Sequence, residues 1–143
     1  IVCDPVNECV WILAGDFGDA SCIWMAKDNF RSVVPVVKGS QTFRSCVAFA
    51  TSEGLLYATD SQFEQNSIRI LKYNGDEWIS EEITQINGSS IYGCSVGDYF
   101  CFSTTVEGDS ESKGRIMKFF DRKPGPGIKS PFAQILSCIL YYQ

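Results

Sequence analysis

The sequence contains no histidine. That removes Ser-His-Asp and Cys-His catalysis, and every metal site that needs an imidazole. Serine-lysine and carboxylate chemistry remain open. Positive charge is also scarce: 12 lysines and arginines stand against 17 aspartates and glutamates, a net charge of −5. A duplex-binding protein carries a basic patch, and none is visible, so no nucleic-acid partner is expected. No two of the seven cysteines have the two-residue spacing of a zinc knuckle or a redox motif. Neither a metal nor a cofactor is expected. The longest apolar stretch near the C-terminus, 132–142, is too short to span a bilayer and contains Gln134 and Ser137, so no membrane partner is expected. No signal peptide and no initiator methionine open the chain, and the expectation is a processed protein or a segment of a longer one.

What is present points to a folded, strand-rich domain. Of the 143 residues, 45% are hydrophobic and 20% charged, which is enough apolar matter for a core. Aromatics reach 13% and are spread along the whole chain with Val and Ile, the composition of strands rather than helices. The cysteine number is odd, and most cysteines sit in apolar runs such as Phe100-Cys101-Phe102. They read as buried free thiols acting as small hydrophobes, with a disulfide framework as the alternative. Reduced thiols fit a cytoplasmic protein.

The chain resembles itself at a fixed interval. The segment WILAGD at 11–16 matches LLYATD at 55–60 and FCFSTT at 100–105. Cys22-Ile23-Trp24-Met25 corresponds to Ser67-Ile68-Arg69-Ile70 and then to Arg115-Ile116-Met117-Lys118. Arg44-Ser45-Cys46-Val47 corresponds to Tyr92-Gly93-Cys94-Ser95. The intervals run from 44 to 48 residues. Within each unit the apolar runs are short, β-branched or aromatic, and bounded by Gly, Asn, Asp and Ser. Helical repeats would instead need apolar spacings of three and four.

A period in the forties with four short strands is the signature of a β-propeller blade. The expected fold is therefore an all-β propeller segment of four-stranded antiparallel blades. Residues 1–43 read as a partial blade (strands b to d), 44–90 as a complete blade, and 91–143 as a partial blade with a divergent tail. In the complete blade, strand a covers roughly 44–51, b 55–60, c 67–73 and d 77–84. Asn74-Gly75 is expected to form a tight hairpin, since both residues tolerate positive φ. Lys123-Pro124-Gly125-Pro126-Gly127 breaks the pattern, and 128–142 holds either the missing strand d or an end outside the repeat.

The c-to-d hairpins resemble the Asp-box, Ser/Thr-x-Asp-x-Gly-x-Thr-Trp, of the bacterial-neuraminidase-repeat (sialidase-like) propellers. Ala26-Lys27-Asp28-Asn29-Phe30-Arg31-Ser32-Val33 has its length and places Asp28 correctly, but lacks the Gly and the Trp. Lys72-Tyr73-Asn74-Gly75-Asp76-Glu77-Trp78 keeps Gly and Trp but is one residue shorter. The repeat is also similar to that family through WILAGD, FRSCVAF, LLYATD and FSTTVE, over roughly residues 9–120.

In such a propeller the b–c and d–a loops share one face, where sites gather near the axis. The residues assigned to that face are Arg44 and Tyr92 at the starts of strands a, Asp16 and Asp60 at the ends of strands b, and Glu107 in the third b–c loop. The resemblance implies an arginine cluster holding a substrate carboxylate, an Asp acid/base and a Tyr nucleophile activated by Glu. Arg44 is the one arginine nominated, and completing a cluster needs other blades. Each nominee has a structural alternative. Arg44 pairs with a loop carboxylate, and Asp16 and Asp60 cap turns by accepting backbone N–H groups. Tyr92 packs, and Glu107, with Asp109 and Glu111, is solvated without a calcium-loop pattern. Trp11, Trp24 and Trp78 read as core, with Trp24 a sugar-stacking platform if exposed.

Two functions follow as expectations. The first is a glycan-directed propeller segment, binding a sugar or, as a sialidase-type glycoside hydrolase, cleaving one within a larger propeller. The isolated segment is then expected to be inactive. The second is a non-catalytic scaffold for protein partners. In either case the uncovered end faces of the outermost blades are expected to find missing blades or to self-associate.

Overall fold

A computed structural model describes residues 1–97 and 99–105, and the backbone of two later strands, 116–121 and 135–139. The described chain is all-β, in three antiparallel four-stranded sheets. Sheet 1 contains β1 (Val2–Asp4), β2 (Cys9–Ala14), β3 (Cys22–Lys27) and β4 (Ser32–Lys38). Sheet 2 contains β5 (Ser45–Thr51), β6 (Gly54–Thr59), β7 (Ser67–Tyr73) and β8 (Trp78–Gln85). Sheet 3 contains β9 (Tyr92–Val96), β10 (Tyr99–Ser103), β11 (Ile116–Asp121) and β12 (Ile135–Ile139). Each sheet is a simple meander, with neighbours in chain order.

Sheets 1 and 3 each have one strand more than the sequence reading gave them. β1 is three residues long and contains Asp4, a residue depleted in strands. It is held because the carboxylate is used in the turn that follows: Asp4 accepts from the Val6 and Asn7 backbone N–H groups, from Asn7 Nδ2 and from Trp11 Nε1. In sheet 3, β12 supplies the fourth strand by pairing with β11.

The sheets stack face to face, with sheet 2 in the middle. Along β6 the side chains alternate between two cores, as strand geometry requires. Leu55 and Tyr57 join Trp11, Cys9 and Ile23 of sheet 1. Leu56 and Ala58 join Phe100 and Phe102 of sheet 3. All six residues of β6 are buried, which explains why LLYA is apolar throughout rather than alternating. Trp11 meets Trp78 edge-on at 5.0 Å, and Phe49 stacks on Phe100 at 4.8 Å. The first strands β1, β5 and β9 are spatial neighbours, with β5 between the other two.

The period is 45 residues. Strands β2, β6 and β10 begin at Cys9, Gly54 and Tyr99. Irregularities in strand register recur at the same interval, at Ile23/Trp24 and at Ile68/Arg69. So do the bonds from Asp60 N to Arg44 O and from Thr105 N to Ser89 O. The sequence match of Asp16 with Asp60 spans 44, and a slip of one residue turns every side chain to the opposite face. In the structure Asp60 corresponds to Gly15 and Thr105, and Arg44 corresponds to Ser89 rather than to Tyr92.

The Asn74-Gly75 hairpin also differs from expectation. Tyr73 pairs with Trp78, leaving a four-residue loop. Gly75 alone of the pair has positive φ, at 109°. The Asn74 Oδ1 atom accepts from the Asp76 and Glu77 backbone N–H groups at 2.9 Å each, an Asx turn that competes with the two-residue geometry.

Candidate functional site

The b–c and d–a connections of sheets 1 and 2 meet at one end of the stack, and polar side chains tie them together. The buried Gln41 side chain spans both b–c loops. Its Nε2 donates to the Asp16 carbonyl at 3.5 Å and its Oε1 accepts from Ser61 Oγ at 3.1 Å. The 60–66 loop is closed by Asn66, whose Oδ1 accepts from Thr59 Oγ1 and Ser61 N, and whose Nδ2 donates to Ser61 O. Ser61 Oγ then accepts from Phe63 N and Glu64 N. Short 3-10 turns at Gly18–Ala20 and Gln41–Phe43 complete the scaffold, and Ser40 caps the second by accepting from Thr42 N.

Arg44 leaves this scaffold at the start of β5. Its Nη2 lies 3.6 Å from Asp60 Oδ2, with the two side chains 14% and 12% exposed. The guanidinium carbon sits 5.6 Å from the centroid of the Phe17 ring, a cation–π placement. Nη1 is buried with no hydrogen-bond partner. The Cys46 Sγ–H donates to Asp60 Oδ2 at 3.2 Å. Desolvation of that thiol, the hydrogen bond to Asp60 and the Asp60 charge push it up to about 11, against a smaller downward pull from Arg44. Cys46 keeps an exposed surface as a residue, but its sulfur lies against a carboxylate that is only 8% exposed.

Beside this pair the surface is aromatic. Phe17 and Phe63 project from successive b–c loops, 60% and 70% exposed, with ring centroids 6.0 Å apart. Neither was nominated from the sequence. The usable signal was composition: Asp16-Phe17-Gly18-Asp19 and Gln62-Phe63-Glu64-Gln65 each hold one aromatic among polar and glycine neighbours, in loops with no core face.

The structure brings together Arg44, Asp60 and the Asp16 backbone, and it separates Tyr92 from them. Arg44 takes the ion-paired arrangement. Asp60 accepts from a thiol and ion-pairs with an arginine rather than capping a turn. The Asp16 carboxylate is exposed, and its charge lies close enough to Cys46 to raise that thiol further. Tyr92 is 72% exposed, on the open face of sheet 3 rather than among the loops. Glu107 lies outside the described residues. Trp24 is half-buried in β3, outside the b–c loops.

No protein-family model, curated protein or solved structure matches the chain.

Other features fall elsewhere. A cavity of about 370 Å³ is lined by Asp4, Glu8, Val10, Lys27, Asp28 and Phe30, among others. It sits by the a–b turn and c–d hairpin of sheet 1, the end opposite the tied loops. The six described cysteines are free thiols; Cys3, Cys46 and Cys94 are exposed, where the sequence reading buries most of them. Among the described residues no cluster of three or more Cys, Asp or Glu is placed to hold a metal, and no helix is long and apolar enough to cross a membrane.

Proposed function

We propose that the chain is a segment of a sialidase-like β-propeller whose tied-loop face binds carbohydrate. The stack of four-stranded meanders, with first strands adjacent and loops tied at one end, supports the propeller. The observation that carries the ligand is the exposed Phe17–Phe63 pair beside the Arg44–Asp60 ion pair. Aromatic faces stack on the C–H surfaces of a sugar ring, while polar groups at the rim satisfy its hydroxyls. Arg44 and Asp60 offer a donor and an acceptor, and Asp16 adds a solvated carboxylate.

The geometry favours binding over hydrolysis. A sialidase-type reaction needs an arginine cluster and a tyrosine nucleophile at one point. Among the described residues Arg44 is the one arginine at this face, and its charge is matched by Asp60. Tyr92 is not there. A scaffold for protein partners is the second reading, and the same exposed phenylalanines favour it, since aromatic anchors also dominate protein interfaces. The surface thiols fit a reducing compartment, and we assign the protein to the cytoplasm on that basis.

The test is titration of the whole chain against neutral and acidic oligosaccharides by calorimetry. The expected result is saturable binding that Phe17→Ala and Phe63→Ala each weaken by about tenfold, the equivalent of roughly 1.4 kcal/mol. Heat silence across both glycan classes would overturn the carbohydrate reading and leave the scaffold.

A further inference from the structure

Two cysteines face each other across the β9–β10 hairpin. The strand register sets Cys94 directly opposite Cys101. Residues opposite on antiparallel strands have Cα atoms about 4.5–5.5 Å apart, inside the span of about 4.4–6.8 Å that a disulfide bridges. Both thiols are free, and their side chains share a hydrogen bond. Joining them therefore needs rotation of the side chains and little movement of the backbone. Cys3, Cys9 and Cys22 have no such partner, pairing instead with Val10, Asp4 and Ala14.

The repeat does not ask for this pair. The same rung of sheet 2, 45 residues earlier, is Phe49 opposite Leu56, and both pack in the core between sheets 2 and 3. The two sulfurs of sheet 3 also differ from each other. Cys94 is exposed, and β9 has a strand partner on one side only. Cys101 is 2% exposed. Desolvation first, then the charge and hydrogen bond of Cys94, push the Cys101 thiol up to about 11. Cys101 is thus held protonated at neutral pH, and Cys94 is the sulfur that meets an oxidant.

We infer that Cys94 and Cys101 form an oxidation site that closes a reversible cross-strand disulfide in response to hydrogen peroxide. In the first step the Cys94 thiolate attacks one peroxide oxygen. The O–O bond breaks, Cys94 becomes a sulfenic acid, and hydroxide leaves as water with the proton that Cys94 released. Loss of the Cys94 charge also withdraws one of the pushes on Cys101. Cys101 then attacks the Cys94 sulfur. The S–O bond breaks, the S–S bond forms, and the departing hydroxide takes the Cys101 proton as a second water. Two thiols and one peroxide give one disulfide and two waters, the sulfurs losing the two electrons that the peroxide gains. Glutathione reverses such a bond in a reducing compartment. The pair is set within one hairpin, whatever lies against sheet 3. Neither cysteine lies in the tied loops, so the inference is independent of the carbohydrate reading.

The experiment treats the whole chain with a small excess of hydrogen peroxide and blocks the remaining thiols with iodoacetamide. Tryptic peptides are then weighed without reduction. Peptide 73–113 contains Cys94 and Cys101 and no other cysteine. It is expected to lose two hydrogens and take up no iodoacetamide, and to take up two after dithiothreitol. Cys101→Ser should leave Cys94 as a sulfenic acid that dimedone traps. Cys94→Ser should leave Cys101 reduced at the same peroxide dose. A wild-type peptide that keeps both thiols free overturns the inference, and this reading needs no variant to fold. So does wild-type Cys94 that stops at the sulfenic acid or pairs with a cysteine of another peptide.

Discussion

The indole nitrogen of Trp11 donates a 2.9 Å hydrogen bond to the Asp4 carboxylate, joining the shortest strand of sheet 1 to its largest core residue. Asp4 is 1% exposed and Trp11 is fully buried. The same carboxylate closes the β1–β2 turn through the Val6 and Asn7 N–H groups. Asp4→Ala therefore orphans a buried indole N–H and opens the turn together. Hydrogen bonds to a charged acceptor contribute more than neutral ones. The expected loss is about 2–3 kcal/mol, read as a lower urea midpoint at constant slope. A midpoint matching the wild type would mean that β1 contributes nothing to the stack.

The same group makes stability depend on acid. Burial pushes the Asp4 carboxyl up, but the bonds from Trp11, Asn7 and Val6 outweigh it and hold it below its ordinary 3.8. A depressed folded value means that the stabilisation is complete above the ordinary carboxylate range. It is lost as pH falls from 3.8 through the folded value. Asp4→Asn keeps the shape of the side chain and removes the titration. Its stability should change less than that of the wild type across this acidic window, by thermal unfolding at a series of pH values. Parallel curves for the two proteins would assign the acid sensitivity to other carboxylates.

Much of the fold was legible because its signals are local. Short apolar runs, Gly and Asn punctuation and the repeated motif located ten of the twelve described strands. The period of 45 falls within the 44–48 read from the sequence, but the match of Asp16 with Asp60 is one residue out, because identical residues at strand ends suggest equivalence whereas facing is set by parity along the strand. Trp11 and Leu13 face sheet 2 as Leu56 and Ala58 face sheet 3, and identity at the strand end carries no such information. β1 was missed because three residues that include a carboxylate carry little strand signal. At the site, the placement of Arg44 and Asp60 on one face followed from strand order, while their pairing with each other did not. Phe17 and Phe63 did not, since aromatic residues in a strand-rich sequence are read first as core.

Gly93 sits in β9 beside Val47 and Phe49 of sheet 2. A Cβ added there would fall 2.6 Å from Val47 Cγ2 and 2.7 Å from the Cys101 carbonyl oxygen. The second neighbour is backbone and cannot turn aside. Gly93→Ala should destabilise the chain by about 1–3 kcal/mol, the usual cost of overpacking. Chemical denaturation at constant slope checks this. An alanine variant as stable as the wild type would show that β9 shifts away from both β10 and sheet 2 at little cost.

Cys46 reports on the tied-loop site without any ligand. Its thiol is pushed up to about 11, first by desolvation and then by its bond and charge contact with Asp60, while Arg44 pulls the other way. Asp60→Asn removes an upward push and leaves the Arg44 charge unmatched, so both changes favour the thiolate. Arg44→Ala removes a downward pull. At mildly alkaline pH, alkylation of Cys46 should therefore be faster than wild type in Asp60→Asn and slower in Arg44→Ala, since the thiolate is the nucleophile. Peptide-resolved mass spectrometry separates Cys46 from the other exposed thiols, Cys3 and Cys94. Equal rates in all three proteins would mean that the thiol does not face Asp60, and the arrangement of Arg44, Asp60 and Phe17 would have to be redrawn.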